Sequence, residues 1–397
     1  MNISVRSAPL TRPEKIGLGV IAVVALLAPV IFSNFFLSAL LTQAIWLGLV
    51  ALSLIFLSSY GGMVSLAQVA IFGIAGLVTA NLSEAEGGLS VAIDPWLAAI
   101  IAILVAVAVA LIFGAIASRS EGIYFLMITL AFGVMVYYFF GQVTSLAGHG
   151  GVNNVAIPGI VGDRVNDPAS FYYVSLAVAA ACYFGLRYLG RTPFGLTLQG
   201  IRDEPTRMRA LGYHVEVHRT LAFGVAGLVA ALAGVLFVWW GRRIGPGAVE
   251  LATVIDVLVV AVIGGLYRLH GAWVGALAFV LLDNYTRRWT PEIGDILGPE
   301  RFNTLLGLIF LAIVLISPGG LVGAYESLRD RVRAYFAGRR GDVQEDASLA
   351  PPAPDGASGA AAGAPADRPN GPVAAQADVT FQRSKTQTAT PEIGGEE

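Results

Sequence analysis

The sequence predicts an all-α integral membrane protein of about ten transmembrane helices, some broken or half-length, followed by a disordered C-terminal tail. Three observations predict it. The chain of 397 residues is 56% hydrophobic and 13% charged, and its mean hydropathy is +0.70, whereas a soluble domain carries about a quarter charged residues. The apolar residues fall in long unbroken runs and do not alternate with a period of two, which selects helices over a closed barrel, the other structure that pairs its backbone inside a bilayer. After Pro318 the character changes, and residues 341–397 are rich in Ala, Pro, Gly, Asp and Gln, with too little apolar surface to offset the entropy of ordering.

The runs lie at 16–32, 36–58, 62–82, 95–117, 122–141, 170–189, 219–240, 251–266, 270–287 and 302–317. The first follows Arg6, Arg12 and Lys15, as a signal peptide would, but no small-residue cleavage site closes it, so a retained helix is expected. The eighth is short enough for a half-helix. The organisation expected is a cytoplasmic N-terminal segment 1–15, a transmembrane domain 16–320, a basic juxtamembrane segment 325–340 that meets anionic lipid, and the tail.

Lys and Arg near span ends orient the chain. With the N-terminus inside, sixteen basic residues lie in inner segments, from Arg6 to Arg340, against six outside: Arg164, Arg242, Arg243, Arg287, Arg288 and Arg301. Both termini are therefore expected in the cytoplasm, with Glu84, Glu86, Asp94 and the loop 142–169 outside.

Several chemistries lack their residues. Lys15 and Lys385 are the only lysines and neither closes a Gly-rich phosphate loop, so the chain has no ATPase motif of its own. Neither H-E-x-x-H nor G-x-S-x-G occurs, and no catalytic residue or metal site is assigned. Cys182 is the sole cysteine, which forbids an internal disulfide and a cysteine-cluster metal site. A net charge of −2 argues against a nucleic-acid partner. Acidic residues within spans reduce to Asp256 and Asp283, too few for a proton relay, so energy for transport is expected from elsewhere.

Two patterns carry function. Thr206–Gly212 reads as a short helix on the inner face ending at glycine, with Asp203 and Glu204 ahead of its positive end and Arg207 and Arg209 as cationic contacts. Such a helix between two spans suits docking to a soluble motor; an ordinary solvated loop fits the same features. The stretches "SSYGGMVSLAQVAIFGIAG" (58–76) and "AVIGGLYRLHGAWVGALAF" (261–279) share a Gly-Gly pair and a leucine four residues on. Paired glycine interruptions point to broken helices around a midplane site, in an inverted repeat; close helix packing through small residues is the other reading. The polar groups expected along a pathway are Ser65, Gln68, Thr129 and Asp256, around the breaks Gly61-Gly62 and Gly264-Gly265. Each also fits a role in satisfying a neighbouring helix backbone.

At "YGGMVSLAQVAIFGIAG", "GIYFLMITLAFGVMVYYF" (122–139), "RTPFGLTLQGIRDEPTRMRALGYHV" (191–215) and the stretch 221–282, the chain resembles the branched-chain amino-acid permease family of ABC importers, in its LivM-like form, over about residues 36–320. The resemblance implies a paired pore with a related or identical second permease, two cytoplasmic ATPase subunits that bind ATP and Mg²⁺, an extracytoplasmic solute-binding protein, and residence in a bacterial inner membrane. It implies that 200–214 holds the coupling helix, with Arg202, Asp203 and Glu204 in the family's acidic run and Arg209, Ala210, Leu211 and Gly212 at its end. The chain departs from the family pattern at Gln68, Asp256 and "GGLYRLHG", which leaves the solute open: small amino acids, or the urea and short amides carried by close relatives. A stand-alone secondary transporter is the rival outside the family.

Overall fold

In a computed structural model, residues 27–29, 36–146, 150–159, 161–162, 167–293 and the single positions 307, 320 and 323 are described. The expected spans 16–32 and 302–317, the basic segment and the tail lie wholly or mostly outside these residues. A π-helical turn, Phe36–Leu41, leads into α1 (Thr42–Gly61), followed by α2 (Gln68–Leu82), α3 (Pro95–Ala117), α4 (Ile123–Gln142), α5 (Pro168–Leu189), α6 (Pro193–Asp203), α7 (Pro205–Ala210) and α8 (Val215–Gly241). A 3₁₀ turn, Pro246–Val249, precedes α9 (Leu251–Gly264) and α10 (Gly271–Ile293). Among the described residues no strand forms, and five helices (α1, α3, α4, α5 and α8) are long and apolar enough to cross a membrane.

The core is α1, α2 and α8. Helix α1 is buried on nearly all sides, so it is apolar all round, as a central membrane helix must be. Helix α8 packs along it, along α2, and along α3 through small residues. On α3 a stripe of Ala102, Ala106, Ala110 and Ala117, each at 0% exposure, faces inward. Where the helices cross, Gly227 leaves room for Ala110, and Gly114 for Phe223. Small side chains let the backbones approach, and dispersion drives the association because lipid supplies no hydrophobic push. The opposite face of α3 presents Leu97, Ile100, Leu104 and Ile112 to the outside. Asp94 caps α3, accepting from the Trp96 amide at 2.9 Å, with Pro95 in the first helical position.

The contacts define two ends. At one, Glu86 bridges Asn153, Val152 bridges Ile244, and Arg242 donates to Asn154 at 3.0 Å. Beneath it sits an aromatic layer, with Trp46 stacked on Phe72 at 5.9 Å and Trp96 edge-on to Trp239 at 5.6 Å, the placement favoured at a membrane interface. At the other end, the C-terminus of α1, the α3–α4 turn, α6, α7 and the start of α8 come together.

The span expected over 62–82 is helical only from Gln68. Gly62 takes a left-handed φ of +67° that ends α1, and residues 63–67 are not helical; α2 starts after them. After α8 the chain turns back along α2, with Ile244 against Gly76 and Val249 against Gly73. Helix α9 therefore starts below the rim, and its 14 residues cover about 21 Å, less than a full crossing.

Candidate functional site

The two Gly-Gly segments build equivalent structures. Gly61 ends α1 and Gly264 ends α9; Gly62 at φ +67° and Gly265 at φ +110° turn the chain; α2 then starts at Gln68 and α10 at Gly271. One constant offset relates all these positions and the shared leucines, Leu66 and Leu269. Each unit is a helix, a six-residue break and a returning helix. The two units touch, for the Ser58 hydroxyl donates to the Leu266 carbonyl at 2.5 Å.

Their relative sense corrects the expected inverted repeat. Helix α10 runs antiparallel to α1, because Leu266 lies at Ser58 while Trp273 and Ala276 lie over Gly48. It is also antiparallel to α9, with Gly271 against Gly264 and Gly275 against Val260. Helices α1 and α9 thus point the same way, and these two units repeat in parallel. Glycine spacing alone carries no direction, but the order of the apolar runs does: the pairs fall at the ends of the second and eighth runs, which cross in the same sense.

At the first break three of the expected pathway residues gather. Ser65 and Thr129 are both at 0% exposure. The Ser65 hydroxyl accepts from the Ala67 amide at 3.3 Å. The Thr129 hydroxyl, on α4, accepts from the Leu66 amide at 3.2 Å and donates to the Leu126 carbonyl at 3.0 Å. Both satisfy backbone groups that the break has released, the duty required of polar side chains in an apolar medium. Gln68 differs. It is also at 0% exposure, yet among the described residues neither Oε1 nor Nε2 has a hydrogen-bond partner. Asp256 stands half-buried on α9 in the second unit, away from this trio in the sequence repeat.

Sequence reasoning missed Gly133. It lies one turn beyond Thr129 on the buried face of α4, and a Cβ built on it would meet no atom within 4 Å. A small side chain at this position would therefore meet open space, one turn from Thr129. Its only signal in the sequence was one glycine among many.

The loop expected to dock a motor is two helices. Helix α6 was not anticipated, although Thr192 and Pro193 form a recognisable start, the Thr192 hydroxyl accepting from the Gly195 amide at 3.5 Å. Arg202 and Asp203 are its last residues, Glu204 is the joint, and α7 begins at Pro205. Asp203 and Glu204 precede the first turn of α7 as expected, and Asp203 also closes α6, where it pairs with Arg202 at 2.7 Å. Helix α7 buries no residue, and Arg207, Arg209, Ala210, Leu211 and Gly212 are exposed. Gly212, at φ +89°, ends the segment as expected.

Helix α6 buries Leu198 and Ile201, and two arginines of the α6–α7 pair make polar contacts with the membrane helices. Arg202 reaches inward, donating to the Ser59 carbonyl at 2.5 Å. Arg209 pairs with Glu216 at 3.0 Å and lies 3.9 Å from Glu121 in the α3–α4 turn, which also holds the nearly buried Arg219 at 2.8 Å.

A family model described as the permease component of branched-chain amino acid transport systems matches residues 36–316. The chain is 23% identical over 251 residues to the high-affinity branched-chain amino acid transport system permease protein LivM of Escherichia coli, covering 57% of each chain. It is 27% identical over 159 residues to a probable branched-chain amino acid transport permease protein LivM of Methanocaldococcus jannaschii, covering 38% of this chain and 46% of that one. It is 28% identical over 155 residues to the autoinducer 2 import system permease protein LsrC of Yersinia enterocolitica, covering 38% of this chain and 42% of that one. The chain spans about half the length of the curated relatives it matches. No solved structure matches it. With the family model running from the π-helical turn through both glycine units and beyond, the chain belongs to the family of permease components of branched-chain amino acid transport systems.

Proposed function

We propose that this chain is the membrane-spanning permease subunit of an ATP-driven importer for branched-chain or other small amino acids. The observation that carries the reading is the exposed α7, presented between two membrane helices and linked by Arg202 to the first glycine break. Two separate cytoplasmic ATPase subunits, holding ATP and Mg²⁺, grip α7; their closure pulls α6, and Arg202 passes the pull to the end of α1. The pathway then alternates between outward and inward access around the breaks. A second permease, related or identical, completes the pore, and an extracytoplasmic solute-binding protein delivers the solute. The α7 end faces the cytoplasm of a bacterium and the Arg242 end faces outward, a polarity supported by the excess of basic residues on the α7 side.

Reconstitution tests this. Proteoliposomes holding the chain with its second permease and ATPase subunits, supplied with binding protein and ATP, take up leucine against a gradient, and omission of ATP abolishes uptake. Concentrative uptake by the chain alone would make it a secondary transporter. Uptake of urea, a short amide or autoinducer 2 in place of leucine would keep the mechanism and change the substrate.

A further inference from the structure

Ser65 and Thr129 account for the amides of Ala67 and Leu66, and the first bond of α2 runs from the Ile71 amide to the Ala67 carbonyl. The amides of Gln68, Val69 and Ala70 precede that bond and have no acceptor within the helix, so they give α2 a positive end inside the bundle. Gln68 is the first residue of this 15-residue helix. A helical Cα–Cβ bond leans toward the N-terminus, so a long side chain on the first residue can reach the end where those donors lie. Folding in an apolar setting normally answers every buried polar group, because an unpaired one costs free energy. Here both atoms of a fully buried amide are unanswered among the described residues.

We propose that the N-terminus of α2 with Gln68 is a transit site for the carboxylate of a zwitterionic α-amino acid. The helix amides and Gln68 Nε2 donate to the carboxylate and Gln68 Oε1 accepts from the α-ammonium when alternating access opens this buried end to the solute. A neutral amide suits this task, since a fixed arginine would hold the carboxylate too tightly for passage. The second unit lacks the site: its equivalent residue is Gly271, packed against the backbone of Gly264. This inference rests on the amino-acid reading above.

The test is thermal unfolding of the full chain in lipid nanodiscs, with L-leucine and leucinol as probes. Leucine raises the unfolding temperature of the wild type; leucinol, which lacks the carboxylate, does not. Gln68→Leu removes the unpaired amide, unfolds at the wild-type temperature or above without leucine, and loses the leucine shift. Gln68→Glu loses the shift through charge repulsion. A leucine shift that survives in Gln68→Leu, an equal shift with leucinol, or none with either probe in the wild type would overturn the site. So would a lower unfolding temperature for Gln68→Leu alone, which would mean that the amide holds a structural water. ATP-driven uptake by the assembled wild type is measured separately, so transport without this site and absence of transport give different results.

Discussion

Arg202 closes the C-terminal end of α1 from another helix: its Nη1 donates to the Ser59 carbonyl, and its stem crosses Gly62 so closely that a Cβ there would lie 2.5 Å from Arg202 Cγ. The last carbonyls of a helix lack intrahelical donors, and a cation at that end is favoured by the helix dipole. The contact joins α6, and through it the exposed α7, to the first glycine break with no intervening loop, beside the apolar contact of Leu198.

Arg202→Ala removes the donor and the strut. A hydrogen bond to a charged group is worth about 1.5–3 kcal/mol, and the side chain is largely buried, so a loss of about 2 kcal/mol in stability is expected. The sharper readout is coupling: uptake falls about tenfold or more, while ATPase subunits still co-purify with the permease. Arg202→Lys restores part of it. Loss of co-purification in the alanine variant would make Arg202 a docking residue instead.

Gly62 and Gly133 give opposite results on one substitution. Gly62→Ala places a Cβ on a left-handed residue and against Arg202, at a cost of roughly 1–3 kcal/mol, read as a lower unfolding temperature. Gly133→Ala meets nothing and removes the backbone freedom of a glycine inside a helix, so it raises that temperature, a gain of roughly 0.5–1 kcal/mol in stability.

The Glu121–Arg219 pair is unequal, with the glutamate side chain about half exposed and the arginine only 8% exposed. Glu121→Gln leaves a nearly buried guanidinium without its anion. Removing a partner from a fully buried pair costs about 3–5 kcal/mol, and solvent at Glu121 reduces that to roughly 1–2 kcal/mol. Chemical unfolding of Glu121→Gln, alone and with Arg219→Met, checks it: the double variant recovers stability.

Much of the fold was legible because membrane burial writes itself into composition. The run 95–117 coincides with α3, and glycine pairs marked both breaks. Other features depend on packing that no local pattern records. Gln68, Ser65 and Thr129 look alike as polar residues in apolar runs, and only the positions of neighbouring backbone amides separate the two that are satisfied from the one that is not. Arg202 reads as part of the coupling segment, but its inward turn to the Ser59 carbonyl follows only from where α6 ends. The parallel sense of the glycine units is carried by the order of the runs and by the contacts of Ser58 and Gly48, which lie far from the second unit in the chain.

Helix α7 as the grip of a separate motor is the central claim, and Arg207→Cys in a chain whose Cys182 is serine tests it most directly. In the assembled transporter, the account predicts that this thiol cross-links to an ATPase subunit and is reached by an impermeant maleimide only from the cytoplasmic side. Labelling from the outer face, or cross-linking to the binding protein in place of an ATPase subunit, would contradict it.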